Sequence, residues 1–256
     1  MKLIIPMSGL GSRFAKAGYT DIKPLIPVLG KPIIEWVLKM FPDQDDILFI
    51  CRQDHLNSTP LKSVLQKLKP HAEILGIEGH KKGPVYAVHQ AAEHFSNDEP
   101  VLISYCDYYM HWNFQAFKTT MLQEKYAGAI PCYTGFHPHL LPPKNLYASC
   151  QVNEHNSLLE IREKYSFTAD KTQSLHSPGV YYFQSGALVK TYFQKMIERD
   201  VQLGGEYYVS LVYNLMLEDG LDVFVPANVD HFCQFGTPED LADFLFWMSV
   251  MKGVLS

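Results

Sequence analysis

The first half of the chain alternates short apolar runs with segments of helical periodicity, and this alternation constrains the fold more than any other feature. The runs KLIIPMS, DDILFICR, AEILGIEG and EPVLISYCD each predict a strand, and segments between them, such as KPIIEWVLKMF, predict helices. Strands that alternate with helices of about 10–15 residues indicate crossover connections and a largely parallel sheet covered on both faces. After about Tyr126 short loops join the strand-like runs, which predicts a mixed or antiparallel extension. We therefore expect an α/β fold with a mostly parallel mixed sheet.

Composition favours an ordinary globular chain. Of the 256 residues, 47% are hydrophobic and 19% charged, and the formal net charge is −5, a profile that suits a sizeable apolar core. Acidic and basic residues are interspersed, so no basic stripe favours a nucleic-acid partner. Because no internal repeat, low-complexity tract or linker interrupts the sequence, we expect one continuous domain over residues 1–256.

The cysteines and the length of the apolar runs bear on the compartment. Five cysteines occur without a CxxC pair, which favours buried reduced thiols over a disulfide framework or a zinc site. The apolar run in MKLIIPMSG is too short for a signal peptide. No run approaches the roughly 18 residues that span a bilayer. We expect a soluble, cytoplasmic protein without a membrane partner.

The segment Gly9–Lys23 follows the first predicted strand and combines glycines with cations. In an open α/β sheet, ligands bind beyond the carboxyl ends of the strands. Gly9 and Gly11 allow positive φ angles and a close approach of the backbone to a ligand, and consecutive N–H groups in such a turn suit anions. Arg13 offers a planar fork for phosphate and Lys23 a mobile point charge. The segment therefore predicts a polyphosphate site.

Three other interpretations of this segment compete with a polyphosphate site. A glycine-rich surface turn with two solvated cations is common, because a lone glycine motif is weak evidence for a ligand. A P-loop requires Ser or Thr after Gly-Lys, but Pro32 follows Gly30 and Lys31. A dinucleotide-binding turn requires a small residue where Phe14 stands and an acid at the end of the next strand, where ILFICRQ has none. Both common phosphate motifs are therefore disfavoured.

The longer pattern GLGSRF…KPLIPVLGKPIIEWVL resembles the signature of nucleotidyltransferases that join a nucleotide to a sugar phosphate or similar phosphomonoester. In that family a G-x-G-[ST]-R loop precedes a Pro-Lys-Pro-type segment and a G-K-P helix start. Ile22 replaces the first of those prolines here. The resemblance implies a Rossmann-like three-layer α/β/α nucleotidyltransferase fold. It also implies a nucleotide-binding half at residues 1–126 and an acceptor-binding half at residues 127–256.

The resemblance implies roles for residues along the whole chain. The residues implied in nucleotide binding are Gly9, Leu10, Gly11, Ser12, Glu78 and Gly83. Those implied in catalysis are Arg13 and Lys23. Those implied in acceptor binding are Lys164, in the pair Glu163-Lys164, Gly179 and Glu206. Taken singly, several have an ordinary structural explanation: Gly83 starts a helix with Pro84, and Lys164 and Glu206 could be solvated charges.

A magnesium ion is the implied cofactor, and its ligands are only partly matched. Asp107 ends the fourth strand, where the family places a magnesium-binding aspartate, although an acid often starts a turn after a strand. The family usually has a second aspartate two residues before a G-T-P helix start, and Gln234 stands there. Gln234 could act as a weaker ligand, or Asp230 could substitute, since four residues apart on a strand both point to one face. Alternatively, Asp107 and phosphates hold the ion alone.

The resemblance predicts a magnesium-dependent nucleotidyltransferase, or pyrophosphorylase, that makes activated precursors of surface polysaccharide. The triphosphate (CTP, UTP or dTTP) and the sugar 1-phosphate or other small phosphomonoester stay open. A non-catalytic nucleotide-binding regulatory module is the alternative, favoured only by Gln234, and a nicotinamide-dependent oxidoreductase is disfavoured by Phe14. Phe244, Phe246, Trp247 and Met251 surround the last predicted helix, so we also expect self-association there.

Overall fold

A computed structural model describes residues 1–255, with side chains up to residue 253. Within these residues the strands form one sheet of seven strands, one of three and two of two. In chain order they are β1 (Lys2–Met7), β2 (Pro27–Val28), β3 (Lys31–Pro32), β4 (Ile47–Arg52), β5 (Glu73–Ile77), β6 (Val101–Ser104), β7 (Tyr108–Trp112), β8 (Gly128–Ala129), β9 (Ser149–Val152), β10 (Leu158–Arg162), β11 (Leu175–His176), β12 (Val180–Phe183), β13 (Val223–Phe224) and β14 (Val229–Gln234).

The helices follow the same order along the described chain. They are α1 (Ser12–Lys16), α2 (Ile33–Lys39), α3 (Gln53–Ser58), α4 (Leu61–Leu68), α5 (Pro84–Gln90), α6 (Phe114–Gln123), α7 (Gly186–Glu198), α8 (Val209–Glu218) and α9 (Pro238–Leu255). A short 3-10 turn at Lys23–Leu25 closes the first loop.

The central sheet confirms the expected mostly parallel mixed arrangement. Its strand order is β13-β8-β12-β6-β1-β4-β5. Strand β1 pairs in parallel with β4 and with β6, and β4 with β5, whereas β12 runs antiparallel to β6 and β8. Strands β4 and β5 lie on one side of β1, and β6 lies on the other side. The strand order therefore reverses between β1 and β6, which makes this position a topological switch point. Ligands of open α/β sheets bind beyond the carboxyl ends of the strands at such a point.

Two hydrophobic cores, one on each face of the sheet, produce the three expected layers. Leu3, Ile5 and Met7 of β1 belong to a buried cluster that includes side chains of α2, α4 and α6. Ile4 belongs to a second cluster with side chains of α5, α7 and α8. Successive side chains of a strand point to opposite faces, so a strand that is buried throughout requires helices on both sides.

Local capping signals set several helix ends. The hydroxyl of Thr237 accepts the N–H of Asp240 at 3.1 Å at the start of α9. Gly220 follows α8 with φ 75°, as expected for a glycine that ends a helix. Helix α4 has Pro60 at its N-cap.

The elements that were not predicted from the sequence include α3, β7 and α6. The start of α6 did have a readable signal: Asn113 Oδ1 accepts the N–H of Ala116 at 2.9 Å, and Phe114, Phe117 and Met121 are buried at helical spacing. Strand β7 pairs antiparallel with β14, far along the chain. Its existence depends on that distant partner, which explains why a local pattern did not identify it.

Helix α9 buries only part of its apolar surface. Phe244 packs on Phe235 with ring centroids 4.9 Å apart. Phe246, Trp247 and Met251 are 60%, 51% and 50% exposed. Self-association through these three side chains stays a prediction. Among the described helices, none combines the length and the apolar character needed to cross a bilayer.

Candidate functional site

A cavity of about 900 Å³ opens beyond the carboxyl ends of β1 and β6, at the switch point of the sheet. Its size lies within the range of small-molecule sites. Its walls come from the loop after β1, the turns after β6 and β10, the start of α8, and the segment that joins β14 to α9. Strands from both halves of the chain therefore position the residues that line it.

The predicted phosphate-binding loop forms one wall of this cavity. The loop residues that line it are Gly9, Leu10, Gly11, Ser12 and Arg13. Gly11 has φ 60°, a left-handed conformation that favours glycine, and α1 begins at the next residue. Phe14 is 1% exposed and anchors the loop to the core. Phe14 therefore holds the loop in place instead of leaving the space that a dinucleotide-binding turn needs.

Lys23 and Asp107 form an ion pair across the switch point. Lys23 Nζ lies 2.6 Å from Asp107 Oδ2, and the two side chains are 20% and 27% exposed. Lys23 closes the loop after β1, and Asp107 lies in the turn after β6, so the contact joins the loops of two neighbouring parallel strands. The sequence predicted each residue for the site, but not that they contact each other.

Four other cations line the cavity, and among the described residues none of them forms an ion pair with a carboxylate. They are Arg13, Lys81, Lys144 and Lys164. A cation that is not neutralised by the protein is available to a bound anion, and both guanidinium and ammonium groups suit phosphate. These four cations therefore suit a bound polyphosphate or phosphomonoester.

The donors beside Asp107 fit a magnesium ion that is shared with phosphate oxygens. A Cβ on Gly236 would lie 3.2 Å from Asp107 Oδ2 and 3.1 Å from Gln234 Nε2, so the absence of a side chain there leaves room between the two groups. Within residues 1–255 no set of three or more His, Cys, Asp or Glu side chains could hold a metal ion. Magnesium is commonly bound by one or two carboxylates, waters and substrate phosphates. Asp107 and Gln234 would need phosphate oxygens to complete such a site.

Asp240 is a further carboxylate of the cavity, and it was not predicted as a site residue. Its Oδ2 accepts the hydroxyl proton of Thr237 at 2.7 Å. Burial raises the pKa of Asp240, the hydrogen bond from Thr237 opposes that shift, and the charge of Asp107 raises the pKa further. The two carboxylates are therefore close enough to repel each other, which a bound cation would relieve.

The expectation that Asp230 shares the face of Gln234 is wrong. A bulge between Val229 and His231 shifts the pairing of β14 with β7, so the simple alternation of side chains does not extend back to Asp230. Asp230 Oδ2 lies 3.0 Å from His111 Nδ1, with both side chains largely exposed, beside a separate surface hollow. Asp230 does not line the cavity that contains Asp107.

The residues implied at the nucleobase are only partly found in the cavity. Gly83 lines it, with φ 84°. A Cβ there would lie 2.8 Å from the backbone nitrogen of Tyr207, so close packing of two backbone segments also requires glycine. Glu78 does not line the cavity, contrary to the expectation. His80, two residues further, does line it, and its Nε2 lies 3.4 Å from the hydroxyl of Ser8.

The three residues predicted for the acceptor all line the cavity. Lys164 follows β10 with φ 54°, an uncommon conformation for a residue other than glycine. Gly179 packs against Tyr105, whose ring would lie 2.9 Å from a Cβ at that position. Glu206 Oε2 accepts the hydroxyl proton of Tyr208 at 2.5 Å. Their roles in acceptor binding remain predictions.

Glu163 places a buried carboxyl in the same wall. Burial raises its pKa to about 7, while a hydrogen bond from the Ser210 hydroxyl and the charge of Lys164 oppose the shift. A carboxyl with this pKa can donate as well as accept a hydrogen bond near neutral pH. The sequence identified Glu163 only as the neighbour of Lys164, because its burial depends on the packing of α8 over β10.

Comparisons with known proteins agree with this fold. The model of the MobA-like NTP transferase domain family matches residues 3–170. A nucleoside-diphosphate-sugar pyrophosphorylase from Vibrio cholerae superposes with a TM-score of 0.75 at 19% identity, over 95% of this chain and 99% of that one. An inositol-1-phosphate CTP transferase from T. maritima superposes with a TM-score of 0.72 at 15% identity, over 96% of this chain and 94% of that one. A comparison with curated proteins found no match.

Glu163→Gln is expected to make the protein more stable than the wild type at alkaline pH. The folded pKa of about 7 lies above the ordinary glutamate pKa of 4.5, so ionising Glu163 costs folded stability as pH rises from about 4.5 through 7. Between pH 4.5 and 8 the variant should gain on the order of 3 kcal/mol over the wild type in urea unfolding. Glu154→Gln, at an exposed position, is the control that should show no such gain. Parallel pH profiles for wild type and Glu163→Gln would contradict the assignment.

Proposed function

Since the chain belongs to the family of MobA-like NTP transferase domains, we propose that it joins the nucleotidyl group of a nucleoside triphosphate to a small phosphomonoester and releases pyrophosphate. The observation that supports this function best is the contact of Lys23 with Asp107 at the switch point, in a cavity that also contains Lys164. Two phosphate-bearing substrates require this arrangement: Lys23 and Asp107 at one phosphate, and the further cation Lys164 at the second.

The chemistry needs positioning and charge stabilisation more than a general base. An oxygen of the acceptor phosphate attacks the α-phosphorus in line, the new P–O bond forms, and the bond to the β-phosphate oxygen breaks with its electron pair leaving on pyrophosphate. The attacking oxygen is already anionic at neutral pH. The barrier therefore arises mainly from bringing two anions together and from the charge that moves to the leaving group.

Each side chain then has a role that its chemistry allows. Arg13 has no carboxylate partner among the described residues and would bind the β- and γ-phosphates. Lys23 would exchange its contact with Asp107 for the α-phosphate, which frees Asp107 for a cation. Lys164 would bind the acceptor phosphate. A magnesium ion at Asp107 and Gln234 would supply neutralising charge at the phosphate oxygens when bound.

The substrate pair is a proposal in its own right. The two superposed proteins are a nucleoside-diphosphate-sugar pyrophosphorylase and an inositol-1-phosphate CTP transferase, so we favour a sugar 1-phosphate or a related cyclic polyol phosphate as acceptor. CTP, UTP and dTTP are the candidate triphosphates. Residues 1–126 would bind the nucleotide and residues 127–256 the acceptor, within one domain, for activated precursors of surface polysaccharide.

A second candidate function, a regulatory module that binds nucleotide without turnover, is favoured by one observation. Gln234 is uncharged, so a cation bound next to it would depend on the carboxylate of Asp107. Asp107 is already paired with Lys23. If the ion pair persisted in the complex, the cation that assists pyrophosphate departure would lack its ligand. The two functions differ in whether an acceptor triggers pyrophosphate release.

Pyrophosphate release with paired substrates tests the proposal directly. CTP, UTP, dTTP, ATP and GTP are each combined with α-D-glucose 1-phosphate, inositol 1-phosphate and phosphocholine, with magnesium or with EDTA. We expect release for at least one pair, only when acceptor and magnesium are both present. Asp107→Asn is the matched variant and should be at least tenfold slower. Triphosphate binding by calorimetry without release for any pair would favour the regulatory module.

Lys23→Ala is expected to lower kcat by about 100- to 1,000-fold, because a preorganised cation that stabilises transferred charge typically contributes this much. The measurement is kcat with the pair selected above. Lys16→Ala removes an exposed lysine of α1 that does not line the cavity and should leave kcat unchanged. A loss smaller than fivefold for Lys23→Ala would remove Lys23 from this role.

A further inference from the structure

The turn that presents Lys164 is held on both sides by the protein. On the side of Glu163, the Ser210 hydroxyl donates to the carboxyl group. On the other side, the carbonyl of Tyr165 accepts the hydroxyl proton of Ser149 at 2.6 Å. Lys164 has φ 54° between these two anchors. Strained backbone of this kind persists only where the surroundings impose it, and it often occurs at ligand sites.

The contact of the Lys164 ammonium group is an aromatic ring rather than a carboxylate. Lys164 Nζ lies 5.5 Å from the centroid of the Tyr208 ring, within the range of a cation–π contact. Within the described residues, Lys164 forms no ion pair, although Glu163 precedes it and Glu206 lies two residues from Tyr208. A ring attracts the ammonium group without cancelling its charge, so the charge stays available for an anion.

Tyr208 is itself fixed in place. Its hydroxyl donates to Glu206 Oε2 at 2.5 Å. It is the N-cap residue of α8, and the next N–H, that of Val209, donates to the hydroxyl of the half-buried Tyr105 at 3.3 Å. Burial raises the pKa of Tyr208, and the bond to Glu206 raises it further, so the phenol stays a protonated donor. The ring orientation is therefore set by the start of α8.

We propose that Tyr208 is a positioning residue for Lys164: its ring holds the ammonium group in place for a phosphate while leaving its charge free. The start of α8 then fixes the positions of both side chains of the Glu163-Lys164 pair. Ser210 contacts Glu163, and Tyr208 contacts Lys164. That this phosphate belongs to the acceptor substrate rests on the proposed function. The contact between the Tyr208 ring and the Lys164 ammonium group is independent of that function.

The experiment observes Lys164 itself. Lysines of the full chain are reductively ¹³C-dimethylated, which preserves their charge, and the Lys164 signal is assigned by its loss in Lys164→Arg. We expect a ring-current displacement of this signal in the wild type and in Tyr208→Phe, and its loss in Tyr208→Leu. Titration with inorganic phosphate should move the signal with about tenfold weaker affinity in Tyr208→Leu and within twofold of wild type in Tyr208→Phe.

A second series keeps the shape of the ring and changes only its charge distribution. Phenylalanine with one, two and three fluorine atoms at position 208 should weaken phosphate binding at Lys164 stepwise, because fluorination withdraws negative charge from the ring face. The proposal would be overturned if phosphate affinity did not change along the fluorinated series. It would also be overturned if the Lys164 signal had the same chemical shift in wild type and in Tyr208→Leu. Failure of the proposed function would appear separately, as absent pyrophosphate release despite the ring-current displacement.

Discussion

The contact between Lys23 and Asp107 is the interaction on which the organisation of the site depends. It joins the loops of β1 and β6, two neighbouring parallel strands, at the point where the order of the sheet reverses. Charges that are mostly removed from water gain little net stability from pairing, because desolvation offsets the attraction. Such a pair can therefore be exchanged at low cost when a phosphate and a cation offer each partner a replacement. In the proposed function, the same contact that orders the cavity also prepares both groups for ligands.

The cavity distributes its charges in a way that suits two phosphates. Arg13 and Lys81 line it from the first half of the chain, and Lys144 and Lys164 from the second, none of them in an ion pair within residues 1–255. Tyr208 lies near both groups of cations: its ring contacts Lys164, and the charge of Arg13 lowers its pKa against the effect of burial. The start of α8 thus lies where the two halves of the cavity meet.

The sequence predicted the features that are local and missed those that depend on distant packing. The first loop, its cations and Asp107 could be placed because they follow strands whose carboxyl ends share one edge. Asp230 was misplaced because a bulge in β14 breaks the alternation that the prediction assumed. Glu78 was also predicted in the site, but in that loop it is His80 that lines the cavity. Tyr208 had no sequence signal at all, since its contacts come from segments far apart along the chain.

In the proposed function, the first loop and the Lys23–Asp107 pair bind the triphosphate, and Lys23 changes partner when they do. A crystal structure with magnesium and a non-hydrolysable α,β-methylene triphosphate tests this most directly. We expect β- and γ-phosphate oxygens at Arg13 and at the backbone N–H groups of the loop. We also expect that Lys23 Nζ has left Asp107 for the α-phosphonate. A triphosphate directed away from the loop, with Lys23 still on Asp107, would contradict it.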